Sequence, residues 1–148
     1  MERIMISEKP EDTFKLGVEM GKAASAGQVY TLGGDLGAGK TLFSQGFAKG
    51  LGIDEPVSSP TFNILKIYEG GRIPLAHFDV YRIADEEEMF EIGWDDYVSS
   101  GHWVCLIEWP DIISTLIDDI PEEHLVRIHI ERDADQGFNY RRITLSTM

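Results

Sequence analysis

Residues 34–41 read Gly34-Asp35-Leu36-Gly37-Ala38-Gly39-Lys40-Thr41, a glycine, four residues, and then Gly-Lys-Thr. This is the pattern of a phosphate-binding loop, and each part has a mechanical reason. The glycines let the backbone curl around a triphosphate and aim consecutive N–H groups at its oxygens with no side chain between. Lys40 supplies a point charge for the β- and γ-phosphates, and the Thr41 hydroxyl takes one position on an octahedral Mg²⁺. The flanks supply the context the motif requires. Val29-Tyr30-Thr31-Leu32 is β-branched and aromatic, hence a strand. Residues 40–51 set Leu42, Phe43, Phe47 and Leu51 near helical spacing, and Gly50 and Gly52 end the helix. Strand, glycine loop and helix in this order bring a helix N-terminus, with its partial positive charge, against the phosphates.

The rest of the chain bounds what such a loop can serve. Its 148 residues are expected to form one domain, 1–148, with a genuine core. A hydrophobic content of 43% and a charged content of 26% are those of a soluble globular protein. The net charge of −13, from 26 acidic against 13 basic residues, repels a phosphate backbone and argues against direct, tight nucleic-acid binding. Arg141-Arg142 is the only arginine pair and makes no basic stripe. Cys105 stands alone inside Val104-Cys105-Leu106-Ile107, so no intrachain disulfide forms and it reads as a small buried hydrophobe. Met1-Glu2-Arg3-Ile4-Met5 is not the start of a signal peptide, and no run of about 18 apolar residues is present. A cytoplasmic protein without membrane association is expected.

Composition and periodicity predict a strand at 3–7 and a helix at 10–26, the latter opened by Glu11 and Asp12. Gly17 and Gly21 lower the propensity of that helix and are expected to weaken it. Strands at 63–69 and 73–81 should pair as a hairpin around Gly70-Gly71. A short helix at 85–92, an irregular segment at 93–101, a buried strand at 104–108 and a short helix at 111–117 follow. A last hairpin joins 125–131 to 140–145 around 133–137. The sum is an α/β fold: a P-loop NTPase-like three-layer domain with a mostly parallel central sheet and antiparallel hairpin additions.

A phosphate loop needs a further acid for its metal, usually where an apolar strand ends. Val104-Cys105-Leu106-Ile107-Glu108 ends in one, and Glu108 is placed either to hold Mg²⁺ or to orient the attacking water. Ala76-His77-Phe78-Asp79 offers the second, with Asp79 sharing the metal or acting as base. Thr61, 20 residues after Thr41, sits in Ser58-Ser59-Pro60-Thr61-Phe62. It reads either as a switch-loop threonine that touches Mg²⁺ and γ-phosphate or as an ordinary turn residue. His77 and Asp79 share a strand face, yet no third ligand stands at zinc spacing. Trp109, next to Glu108, is placed to shape the site.

The loop, Ser59-Pro60-Thr61-Phe62, His77-Phe78-Asp79-Val80-Tyr81-Arg82 and Ile107-Glu108-Trp109-Pro110 follow one another in this order. Together they resemble the bacterial TsaE (YjeE) family, the small ATPase of tRNA threonylcarbamoyladenosine biosynthesis. Residues 93–97 also look familial. The resemblance runs from about residue 13 to residue 109, and beyond 111 it rests on the hairpin alone. It implies binding of ATP and Mg²⁺ and work with two partner proteins, TsaB and TsaD, which transfer the threonylcarbamoyl group and hold the tRNA. The small ATPase resets the partner complex rather than catalysing the transfer. Carried over by position, Asp35, Leu36, Gly37, Ala38, Gly39, Lys40, Thr41 and Leu42 line the phosphates, with Thr41 and Glu108 on the metal. Asp79 and Thr61 are expected in the active site, Thr13 near the adenine, and Arg132 reaching the nucleotide from the far side.

Rival readings are a small-molecule kinase, a GTPase and a nucleotide-dependent binding module. A kinase needs a lid that delivers arginines, whereas Arg72, Arg82, Arg127 and Arg132 are scattered along a short chain. A GTPase marks guanine with Asn-Lys-x-Asp, and the chain has no Asn-Lys pair. The binding module differs from the ATPase only in turnover.

Overall fold

A computed structural model describes residues 1–35, 37–60 and 63–147. Seven strands form one sheet in the order β1-β7-β6-β2-β5-β4-β3. They are β1 (Glu2–Ser7), β2 (Val29–Gly33), β3 (Leu65–Tyr68), β4 (Leu75–Asp79), β5 (Val104–Glu108), β6 (Leu125–Arg132) and β7 (Arg141–Ser146). The inner strands β6-β2-β5-β4 run parallel, while β3, β7 and β1 pair antiparallel at the margins. This is the mostly parallel core with hairpin additions that the sequence predicts. Every residue of β4 and of β5 is buried. An unbroken apolar run is what a parallel strand covered on both faces requires.

Alternate residues of those strands feed two separate cores, because side chains of a strand point to opposite faces. Tyr30, Leu32, Leu75 and Leu106 pack with Phe43 and Phe47 of α2 (Lys40–Gly50), with Leu51 just beyond it, and with Leu16 and Met20 of α1 (Pro10–Ala23). Phe78, Cys105 and Ile107 pack instead under α3 (Glu88–Glu91), α4 (Trp94–Val98) and α5 (Ser114–Asp118). Helices on both faces give the three layers.

Two local readings need correction. The first helix stops at Ala23 rather than 26, because Ala24 turns to extended geometry and is buried. The Arg72 guanidinium meets the freed carbonyls, donating to Gly21 at 2.7 Å, to Lys22 at 3.0 Å and to Ala24 at 3.0 Å. The stretch 93–101 is not irregular: Gly93 takes a left-handed conformation, φ 99°, and starts α4, whose Trp94 is buried. Gly17 and Gly21, expected to weaken the first helix, have a packing role there. A Cβ at Gly17 would lie 2.4 Å from the Phe43 carbonyl oxygen, and one at Gly21 would lie 2.2 Å from that of Phe47. Gly46 and Gly50 of α2 answer in kind, at 2.2 Å from the carbonyls of Phe14 and Val18. Four missing side chains let α1 and α2 touch backbone to backbone, close enough for Cα–H···O contacts. That contact fixes the helix that follows the phosphate loop.

Candidate nucleotide-binding site

Register sets the site. Leu32 of β2 lies beside Glu108 of β5, and Glu108 lies beside Asp79 of β4, so adjacent parallel strands end in one row. Ligands of open α/β sheets bind at such carboxyl ends. The loop leaves β2 at Gly34, whose φ of 140° and closeness to β6 both demand glycine: a Cβ there would lie 2.3 Å from the Ile130 carbonyl oxygen. It re-enters helix through Gly39, φ 111°, directly before Lys40.

Lys40 is almost wholly buried. Its Nζ donates to the Gly34 carbonyl at 2.6 Å and sits 3.3 Å from the centroid of the Trp109 ring. Trp109 reaches that position because its own backbone is left-handed, φ 63°, which is uncommon for a bulky residue. Tyr81 packs against the ring with centroids 4.8 Å apart. Burial pulls the Lys40 ammonium below its ordinary pKa, and Glu108, Asp79 and Asp35 pull it back. Among the described residues Lys40 forms no ion pair.

Both carboxylates are buried and held by neighbours. Asp79 accepts the Ser59 hydroxyl on Oδ2 at 2.7 Å and the Tyr81 N–H on Oδ1 at 3.1 Å. Glu108 Oε2 lies 2.7 Å from His77 Nε2 and 3.5 Å from Ser59 Oγ. One hydroxyl proton serves one acceptor, so Ser59 belongs to Asp79 and His77 to Glu108.

A cavity of about 640 Å³ gathers Gly37, Gly39, Lys40, Thr41, Leu42, Asp79 and Glu108, together with Gln45, Ser59, Tyr81, Arg82 and Trp109. Asp35, Ala38 and Arg132 face a second cavity of about 550 Å³ on the outer side of the loop. Arg132 approaches the loop there, its Nη1 being 3.8 Å from where a Cβ of Gly37 would stand. Thr13 is buried beside the loop, its Cγ2 3.8 Å from the Cβ position of Gly39, and its hydroxyl is 2.7 Å from that of Ser7. Leu36 and Thr61 lie outside the described residues.

The arginines that looked scattered are sorted by the fold. Arg72 caps α1, while Arg82 lines the loop's inner cavity and Arg132 its outer one. Two residues that the motifs did not single out as site members also belong here. Arg141 Nε donates to the Ala38 carbonyl at 2.8 Å and Nη2 to the Gly37 carbonyl at 3.4 Å, so it holds these two loop carbonyls. No local pattern announces a contact spanning 103 residues. His77 carried a usable signal, its position two residues before Asp79 on one strand face, but its partner came from another strand.

The residues present fit a magnesium-bound nucleoside triphosphate. The turn supplies N–H donors and a lysine with no ion pair among the described residues, and Thr41, Asp79 and Glu108 supply the oxygen donors that a hard divalent cation prefers.

Fold and loop together define a P-loop, nucleotide-binding α/β protein. Residues 7–143 match the family model "Threonylcarbamoyl adenosine biosynthesis protein TsaE". The chain belongs to the TsaE family, and the match extends well past the last motif that carries the resemblance. Relatives bearing the name tRNA threonylcarbamoyladenosine biosynthesis protein TsaE include one from Bacillus subtilis, 45% identical over 94% of this chain and 82% of its own. Another, from Treponema pallidum, is 43% identical over 95% of this chain and 98% of its own. A crystal structure of Bacillus subtilis YdiB superposes with a TM-score of 0.80 at 37% identity, covering 99% of this chain and 86% of that one.

Proposed function

We propose that the chain is a Mg²⁺-dependent ATPase that serves tRNA threonylcarbamoyladenosine formation by resetting a TsaB–TsaD partner complex between turnovers. The observation that carries this reading is the row of strand ends. Lys40 and Thr41 sit beside Glu108 and Asp79 in one cavity, so charge neutralisation and water orientation occupy the same space. In this reading the loop's N–H groups and Lys40 hold the phosphates, and Thr41 and Glu108 hold the metal. Bound Mg²⁺ would supply positive charge that offsets the charge of the phosphates. Asp79 or Glu108 orients the attacking water, and Trp109 keeps bulk water from the Lys40 ammonium. Arg82 lines the same cavity and would face the terminal phosphate. A net charge of −13 suits a protein that leaves the tRNA to its partners. No helix among the described residues is long and apolar enough to cross a membrane.

Mg-ATP hydrolysis by the purified chain, alone and with the TsaB–TsaD pair, tests the proposal. Slow turnover alone, raised by the pair, is expected. ATP binding without turnover in either condition would replace the ATPase by a nucleotide-dependent binding module.

A further inference from the structure

We propose that His77 is a positioning residue for Glu108, acting only through its Nε2–H. The inference rests on the ATPase reading of the same site. His77 is fully buried in the middle of β4 and is paired in register with Leu106 of β5, so Glu108 is its diagonal neighbour, one pleat further on. Its Nε2 lies 2.7 Å from Glu108 Oε2, and because a carboxylate only accepts, the ring nitrogen donates. That places a proton on Nε2. The other ring nitrogen, Nδ1, is buried without a hydrogen-bond partner among the described residues.

An unpaired buried nitrogen is costly, and an apolar side chain would fill the same space without that cost. The ring therefore contributes through its other nitrogen. The bond draws Oε2 back along the strand toward the interior, leaving Oε1 as the oxygen for the cavity. It also keeps Glu108 from closing on Lys40: the lysine hydrogen-bonds the Gly34 carbonyl and forms no ion pair among the described residues. A carboxylate released from His77 would face the Lys40 ammonium, whose charge it already influences. Pairing there would remove a metal oxygen and the phosphate-binding charge in one movement. Supporting residues of this kind typically alter metal affinity or activity on the order of 10–100-fold when removed.

His77→Leu removes the donor and keeps an apolar filling, whereas His77→Gln places an amide N–H near the former Nε2. The Leu variant should raise the Mg²⁺ concentration needed for calorimetrically measured ATP binding on the order of 10–100-fold. The Gln variant should recover most of that loss, with both unfolding at close to the wild-type temperature. A Gln variant as impaired as Leu, or a harmless Leu, would overturn the proposal. Long-range ¹⁵N–¹H spectra of the wild-type protein without nucleotide or metal supply a second reading. A His77 Nε2–H tautomer is expected, and an Nδ1–H tautomer would also overturn it. Neither measurement needs turnover, so a protein that binds Mg-ATP without hydrolysing it would sink the ATPase reading and still decide the role of His77.

Discussion

The seam between α1 and α2 and the row of strand ends at Asp79 and Glu108 lie on either side of the phosphate loop, and they are built on opposite terms. The seam is made of absences: Gly17, Gly21, Gly46 and Gly50 remove side chains so that two backbones meet. The strand ends are made of presences. Lys40, His77, Asp79 and Glu108 are buried polar groups, each tied to a neighbour and each unfavourable for stability compared with an apolar filling. The contrast teaches where tolerance lies. An added methyl should break the seam and leave the chemistry's residues untouched, whereas an apolar swap at the strand ends should silence the chemistry and spare the fold.

Lys40→Met is the strongest way to sharpen that contrast. Turnover should fall on the order of 100- to 1,000-fold, about 3–4 kcal/mol of transition-state stabilisation, as when a preorganised charge donor is lost. The fold should not suffer. Burial lowers the lysine's pKa in the folded state, so folding disfavours the charged form. Removing it should leave the melting temperature at pH 7 unchanged or higher. A marked drop would erase the distinction between seam and site. Gly46→Ala is the converse. Helix propensity alone predicts a gain of about 0.5–1 kcal/mol, but the added Cβ would sit 2.2 Å from the Phe14 carbonyl oxygen. Overpacking against a backbone that cannot yield should cost about 1–3 kcal/mol in urea unfolding. A stabilised variant would show that the seam is looser than described.

The same contrast explains what was legible in the sequence. The strand before the loop, the loop itself and β5 were readable because each is a contiguous signal: an apolar run, a glycine pattern, an acid at a strand's end. Val104–Glu108 appears with the predicted bounds for that reason. The seam is not legible because propensity is a local scale, and Gly17 looks like a weak helix residue until its neighbour on another helix is known. Helix α4 was missed because Gly93 reads as a breaker unless its left-handed geometry is known to open a helix. Register, too, is invisible in one strand at a time. His77 meets Glu108 only because β4 and β5 pair as they do, and Arg141 meets the loop only because β7 closes the sheet beside β6.

Arg141 joins the two regions, since its guanidinium fixes the loop from the hairpin side while the seam fixes the helix beyond it. Arg141→Gln should weaken ATP binding by about 1–2 kcal/mol, the range for hydrogen bonds made by a charged donor at a partly exposed place. Arg141→Lys should not restore it, because an ammonium cannot reproduce the fork that reaches both Ala38 and Gly37. Full recovery by lysine would mean that charge, rather than geometry, holds the loop.

The smallest effect separates the regions by pH. Burial moves Lys40 and Cys105 in opposite directions for one reason: it disfavours the charged form of each. Lys40 is drawn down but keeps neighbouring acids, whereas Cys105, in the all-apolar middle of β5, is pushed from 9.0 to about 12. The thiol is neutral in folded and unfolded chains below pH 9, so it contributes no pH dependence there. As the pH rises past 9 the unfolded chain ionises and the folded chain does not, and stability falls until about pH 12. At pH 10 the loss from this group should be about 1 kcal/mol, because each unit between the two pKa values is worth about 1.4 kcal/mol. Tyr30, raised from 10.0 to about 12 chiefly by burial, adds to the slope only above pH 10. Cys105→Ala should therefore lower stability by a constant amount between pH 7 and 9 and flatten the decline above it. An unchanged alkaline slope in urea unfolding would place the titrating group elsewhere. It would also mean that the apolar middle of β5 does not exclude charge as strictly as its burial requires.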